Sequence, residues 1–356
     1  MPIASSDALH AVLLQASTAQ ASDIHLAVGQ PPIIRIHGEL QRLEMPPYTA
    51  ELLTQHIEQI LTPDLQKRWR EDRDLDTLVV LDTGDRFRVN VFFEKGGPAL
   101  AARFIPAIIP SLDDQLAPEA AYDFAKLKRG LVLVTGPTGC GKSTLLAAII
   151  EEINASRPAH IITLEDPVEF LHVPKQALIA QRQLGTDFST FPSGLKHVLR
   201  QDPDVILVGE MRDLETISTV ITLAETGHLV FATLHTNSAA ETVERIVDSF
   251  PAGQQMQIRL QFAFVLQGII AKLLIPKTDG TRVSAHEVLV NNTAIANLIR
   301  ESKTNQIQNV LYSSTQSKMH TLDQDLQWLL EQGFISHDVA VSHSRTPGTF
   351  TPHPTK

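Results

Sequence analysis

The stretch Gly130 to Thr144, GLVLVTGPTGCGKST, constrains the chain more than any other. A short apolar run leads into a glycine-rich loop, after which Lys142, Ser143 and Thr144 open a leucine- and alanine-rich segment. Gly136, four intervening residues and then Gly141, Lys142 and Ser143 match the spacing of a phosphate-binding loop. Glycines in such a turn let backbone N–H groups converge on phosphate oxygens without Cβ obstruction, the lysine reaches the β- and γ-phosphates, and the hydroxyl ligates Mg²⁺. A helix starting near Lys142 points the positive end of its dipole at the same oxygens. The expected cofactors are ATP and Mg²⁺, held by Gly136, Pro137, Thr138, Gly139, Cys140, Gly141, Lys142, Ser143 and Thr144, with Ser143 on the metal.

The flanks extend the argument from a loop to a fold. Leu131 to Val134 reads as a buried strand and Leu145 to Ile150 as a helix. The runs Ile161–Leu164, Val205–Val208 and Leu229–Thr233 are short, apolar or β-branched, and alternate with helical segments. This pattern predicts an α/β sheet with helices on its faces. One long amphipathic helix is expected over Ala252–Leu274, then a strand over Arg282–Val290 and helices over Thr293–Glu301, Gln306–Ser313 and Thr321–Gln332. The tail Ser344–Lys356, SRTPGTFTPHPTK, reads as disordered.

Upstream, the spacing predicts a small α+β domain over residues 1–106. Its elements are a helix over Asp7–Gln20, strands at Ser22–Leu26 and Pro31–Leu40, and a helix over Thr49–Leu61. A hairpin joins Arg86–Phe93 to Ala99–Ile105 through Lys95-Gly96-Gly97-Pro98. Pro106, Pro110 and Pro118, with Asp113 and Asp114 between them, mark a linker over 107–117. The second domain then runs over 118–343, beginning with a helix at Pro118–Lys128.

Composition excludes several classes. The net charge of −10 argues against a nucleic-acid partner, since duplex binding needs concentrated Lys and Arg. A single cysteine allows no internal disulfide and no cysteine-based zinc site, which suits a reducing compartment. The start MPIASSDALHAVLLQ lacks a basic leader, and the apolar run Phe262–Ile275 is broken by Gln267, Gly268 and Lys272, so a cytoplasmic chain without a membrane span is expected. Cys140 itself is either a small tolerated residue or a thiol whose thiolate the helix start and Lys142 favour.

Chemistry belongs at the carboxyl ends of the strands. Glu165, Glu210 and His235 each follow a predicted strand, and His228 directly precedes one. Hydrolysis of a γ-phosphate needs an acid that orients water and groups that help hold Mg²⁺. Glu210 is the expected base and Glu165 the second carboxylate near the metal, each reaching it through water. Acids after strands are often only solvated loop residues, but their place beside a phosphate loop favours function. On spacing alone, His228 and His235 read equally well as capped surface residues.

Taken together, LVTGPTGCGKST, ITLEDPVEF, QDPDVILVGEMRDLETI and AETGHLVFATLHTNSAAETVERIVDSFP resemble the Walker A, Asp-box, Walker B and His-box segments of the type IV pilus retraction ATPases, within the secretion ATPase superfamily. ASDIHLAVGQPPIIRIHGEL is similar to the entry of that family's PAS-like domain, RFRVNVFF to its arginine-bearing strand, and AIANLIRESK to its retraction-linked AIRNLIRE segment. The resemblance implies a RecA-like ATPase domain behind an N-terminal PAS-like α+β domain. It further implies a cytoplasmic homo-hexameric ring at the inner-membrane face of a bacterial pilus machine, coupling ATP hydrolysis to pilus retraction and twitching motility. An inner-membrane platform protein and a paralogous pilus ATPase are its implied partners. By the same resemblance Glu210 is the catalytic glutamate, Glu165 the Asp-box acid, and His228 and His235 a phosphate-sensing pair. Arg88 and Arg103 match arginines that reach nucleotide held between domains or subunits, and Arg86 shares a strand face with Arg88.

The chain departs from the family pattern where Glu94-Lys95-Gly96-Gly97 stands for a hairpin arginine and Ala296 for an arginine of AIRNLIRE. Two other readings stay open. An assembly or secretion ATPase of the superfamily typically carries a four-cysteine zinc module, against which the lone cysteine counts. A non-catalytic paralogue that stiffens a motor ring is opposed by the intact Lys142, Ser143 and Glu210.

Overall fold

A computed structural model describes residues 8–19, 21–36, 38–105, 108–314 and 318–350. The chain divides into two compact units, Met1–Ile108 and Ile109–Lys356.

In the first unit the elements are α1 (Ala8–Thr18), β1 (Asp23–Ala27), β2 (Ile33–Ile36), β3 (Glu39–Arg42), α2 (Ala50–Ile60), α3 (Pro63–Asp72), β4 (Asp74–Val80), β5 (Arg86–Glu94) and β6 (Gly97–Ile105). The strands form one antiparallel sheet in the order β3-β2-β1-β6-β5-β4. Strand periodicity sorts its residues: Phe87, Val89 and Val91 pack with Leu100 and Ala102 against Leu13 of α1, Ile57 of α2 and Trp69 of α3. On the opposite face Arg88 stands directly across from Arg103. α3 and β4 leave little trace in the sequence because PDLQKRWRED buries only Trp69; the readable signal is Thr62, whose hydroxyl accepts from Leu65 N–H ahead of Pro63. The expected helix ends at Asp7 and Gln20 lie outside the described residues.

The second unit contains α4 (Glu119–Lys126), β7 (Gly130–Thr135), α5 (Lys142–Ser156), β8 (His160–Glu165), β9 (Leu178–Gln183), α6 (Phe191–Val198), β10 (Val205–Val208), α7 (Leu214–Glu225), β11 (Leu229–Leu234), α8 (Ala239–Asp248), α9 (Ala252–Val265), β12 (Leu266–Pro276), β13 (Arg282–Val290), α10 (Thr293–Arg300), α11 (Ile307–Ser313), α12 (Leu322–Glu331) and α13 (His337–His343). The seven-stranded sheet runs β13-β12-β7-β11-β10-β8-β9. It is parallel from β12 to β9, with β13 antiparallel at its edge. Its central strands lack alternation because both faces are covered. Leu131 and Leu133 of β7 pack among α7, α8 and α9, while Val132 and Val134 pack among α4 and α5.

Two expectations fail here for identifiable reasons, and a third, the linker over 107–117, contains the boundary between the units but is not free of structure. The predicted helix over Ala252–Leu274 ends at Val265, and Leu266–Pro276 is a strand paired on one side with β7 and on the other with β13. A continuous apolar run has no periodicity with which to separate a buried strand from a buried helix. The predicted linker is partly core: Leu112 is buried with α4 and α5, and the Gln115 amide donates to Thr144 O at 3.2 Å. Pro106 and Ala107 lie outside the described residues.

The predicted disordered tail is, over Ser344–Phe350, a packed strap. Phe350 is buried with Ile275, Leu326 and Ile335, and Asp323 accepts from the Arg345 and Thr346 N–H groups at 2.8 and 2.9 Å. The Arg345 guanidinium bonds Asn237 O and the buried carboxylate of Glu287, whose other oxygen accepts from Ala239 N–H at the start of α8 at 2.8 Å. Residues 351–356 lie outside the described residues. Removing one partner of a buried ion pair strands the other charge, so Arg345→Met is expected to lower the unfolding free energy by about 3 kcal/mol. Adding Glu287→Gln should recover part of that loss; denaturant titration of the wild type, the single variant and the pair measures both.

Candidate nucleotide site at the carboxyl edge of the parallel sheet

β7 stops at Thr135, the loop occupies 136–141, and α5 begins at Lys142. Gly136 and Gly141 adopt φ of 139° and 86°, conformations that side chains rarely take. At Gly136 a Cβ would also stand 2.2 Å from Lys272 O. The Lys142 amine folds over the loop, donating to Gly136 O at 2.8 Å and Pro137 O at 3.0 Å. Ser143 and Thr144 lie half-buried in the first turn of α5, whose leading N–H groups have no partner inside the helix. A cradle of bare backbone, a lysine and a helix start together fit a polyphosphate. Ser143 would hold Mg²⁺ directly, with phosphate oxygens and water completing the shell. Burial pushes the Cys140 thiol up despite the opposing charges of Lys142 and Lys272, which favours the reading of Cys140 as a small tolerated residue over that of a favoured thiolate.

Register then lines up the remaining strand ends. Thr135 is level with Leu234 of β11, Ala232 with Val208 of β10, and Val208 with Leu164 of β8. The chain thus presents, along one edge, the phosphate loop, His235, Glu210 and Glu165. Gly209 lets the last two approach, because a Cβ there would lie 3.1 Å from Leu164 O and 3.2 Å from Glu165 Cα.

Glu210 is held at both oxygens, Oε1 2.9 Å from His235 Nε2 and Oε2 2.9 Å from Arg212 Nη2. Partial burial works to raise its carboxyl, but Arg212 and His235 outweigh that and keep it below the ordinary range. Glu165 differs: the Thr163 hydroxyl donates to it at 2.6 Å and the Gln181 amide at 3.3 Å, yet burial pushes it up to about 7. One carboxyl stays ionised while its neighbour on the adjacent strand end keeps its proton up to about neutral pH. Arg212, two residues past Glu210 in GEMRD, is absent from the sequence-based candidates; a cation so close to a strand-end acid is the available signal.

His228 is not brought to this edge. It precedes β11, with Nδ1 3.0 Å from Leu223 O and 3.1 Å from Thr226 Oγ1, at the amino end of the sheet. The six residues of β11, about 20 Å of extended chain, lie between it and His235. Within the first unit, Arg88 Nη2 lies 3.7 Å from Asp76 Oδ2, Arg103 Nε donates to Asp23 Oδ1 at 2.9 Å, and Arg86 is buried.

A phosphate loop continued by two strand-end carboxylates in a parallel sheet defines a P-loop nucleoside-triphosphatase fold, and the chain belongs to the family described as Type II/IV secretion system protein, which matches residues 4–337. Within that family it is 47% identical over 310 residues to the twitching motility protein of Neisseria gonorrhoeae, covering 87% of this chain and 83% of that one. It is 42% identical over 330 residues to the type IV pilus retraction ATPase PilT of Pseudomonas aeruginosa, covering 93% and 96%. The fold superposes on a crystal structure of the pilus retraction motor PilT with bound ADP at a TM-score of 0.88, with 43% identity over 96% of this chain and 98% of that one.

The raised Glu165 carboxyl gives a pH signature. Because the folded value is about 7 and the ordinary one 4.5, the group costs no stability below pH 4.5, costs progressively more between the two values, and costs its full amount above pH 7. Glu165→Gln is therefore expected to match the wild type at pH 4 and to be more stable by about 1–3 kcal/mol at pH 8. Chemical denaturation at the two pH values checks the sign.

Proposed function

We propose that the chain is the ATP-hydrolysing subunit of a homo-hexameric motor that powers type IV pilus retraction. The observation that carries the reading is Glu210, ionised between His235 and Arg212 at the strand edge that also bears the phosphate loop. In this role the loop and Lys142 bind the β- and γ-phosphates of MgATP, and Ser143 ligates the metal. Glu210 accepts the proton of the attacking water, and His235, hydrogen-bonded to it, reports the state of the γ-phosphate. Glu165 holds water near the metal. The direction of the motor rests on the relatives named above, two of which carry twitching motility or pilus retraction in their names.

The first unit takes the part of a PAS-like domain, and Arg88 and Arg103 supply guanidinium groups to nucleotide at a subunit boundary. The cytoplasmic face of the inner membrane, beside a platform protein, is the location this role requires; among the described residues no helix is long and apolar enough to cross a membrane.

Glu210→Gln keeps the shape of the side chain and removes the base. It is expected to bind ATP with unchanged Kd and to lose turnover by a factor of about 10² or more. Calorimetry and a phosphate-release assay separate the two, and turnover retained by the variant would reassign the base. A site completed across subunits also makes activity depend on assembly. Specific activity of the wild type is expected to fall on dilution into the monomer range, with Glu210→Gln as the blank; activity per chain that stays constant over that range contradicts a shared site.

A further inference from the structure

β12 flanks β7 on the side away from β11, and its register sets Ala271 opposite Thr135. The next residue, Lys272, is therefore level with the start of the phosphate loop. Its carbonyl oxygen is the atom that leaves no room for a side chain at Gly136. Its amine reaches the other end of the same loop, 3.2 Å from where a Cβ on Gly141 would stand. Lys272 is only 4% exposed.

The surroundings of that amine are unusual for a buried cation. The groups facing it are the Cys140 thiol on the loop and His286, its cross-strand partner on β13. Behind His286 lies Asp325 of α12, which accepts from the His286 backbone N–H at 2.7 Å and stands 3.6 Å from both the His286 and His320 imidazoles. Among the described residues no carboxylate comes within ion-pair distance of Lys272 and nothing accepts a hydrogen bond from its amine. Burial holds the amine down at about 8, which still leaves it charged at neutral pH. A largely buried lysine with no carboxylate beside it destabilises the chain that carries it unless a bound anion supplies the missing charge.

We propose that Lys272 is a second cation of the phosphate site, lying against the loop from the β12 side and balanced by the phosphates of bound nucleotide while Lys142 meets them across the loop. It acts through the loop, as a positioning residue. The inference rests on the nucleotide-binding reading above and adds a separate signature: Lys272 opposes folding of the ligand-free chain and favours the liganded one.

Lys272→Met keeps the aliphatic stem and deletes the charge. Calorimetric titration of the full chain with ADP, and separately with inorganic pyrophosphate, is expected to show binding about tenfold weaker than wild type for both probes. Thermal unfolding without ligand is expected to give a Tm equal to or above that of the wild type. Equal affinities overturn the proposal, and so does weaker binding accompanied by a lower ligand-free Tm, which would mark a packing role. If the wild type itself binds neither probe, the nucleotide-binding reading falls and this proposal with it, whereas equal binding by both proteins strikes Lys272 alone.

Discussion

The pairing of β7 on both sides is the constraint on which the rest depends. A strand held by β11 on one flank and β12 on the other has no freedom at its carboxyl end, so the turn that follows must leave the sheet in one direction. The same pairing fixes which residues surround that turn. Through β11 and β10 it brings His235 and Glu210 to one flank, and through β12 it brings Lys272 to the other. Burial on both faces, by Leu131 and Leu133 on one side and Val132 and Val134 on the other, holds the strand in its layer.

The site built on that frame works by contrast between neighbouring charges. Glu210 and Glu165 end adjacent strands, and Gly209 lets their backbones close up, yet their environments push the two carboxyls apart. Arg212 and His235 hold one as an anion; enclosure among protein atoms lets the other keep a proton. The identity of the residue explains neither state, because both are glutamates. A like contrast separates the lysines: Lys142 donates to loop carbonyls, while Lys272 is buried between the Cys140 thiol and His286.

Much of this was legible in the chain. The phosphate loop depends on local backbone chemistry and could be read from Gly136, Gly141 and Lys142 alone. The parallel strands could be read because fully buried strands are short unbroken apolar runs. The same property concealed the break at Leu266, since a run without polar positions has no phase to distinguish α9 from β12. His235 follows the same strand that His228 precedes, so the two had to emerge at opposite ends of the sheet, and only strand geometry reveals that. The tail looked disordered because SRTPGTF has few apolar residues; its order comes from Glu287 and Asp323, partners distant in sequence. Arg212, Gln181 and Lys272 were hidden for the same reason, as their importance comes from what folding places beside them.

The sheet order also fixes a sequence of events during synthesis. Leu131 pairs with Leu266, so the wall beside the phosphate loop arrives only after every element from α5 to α9 has emerged. The first unit, whose strands pair within its own length, has by then left the ribosome complete. Contacts so distant along the chain form late, because the intervening loop must close before they gain anything. The strand that walls the phosphate loop on this side thus becomes available only after the first unit and every strand from β7 to β11 have been made.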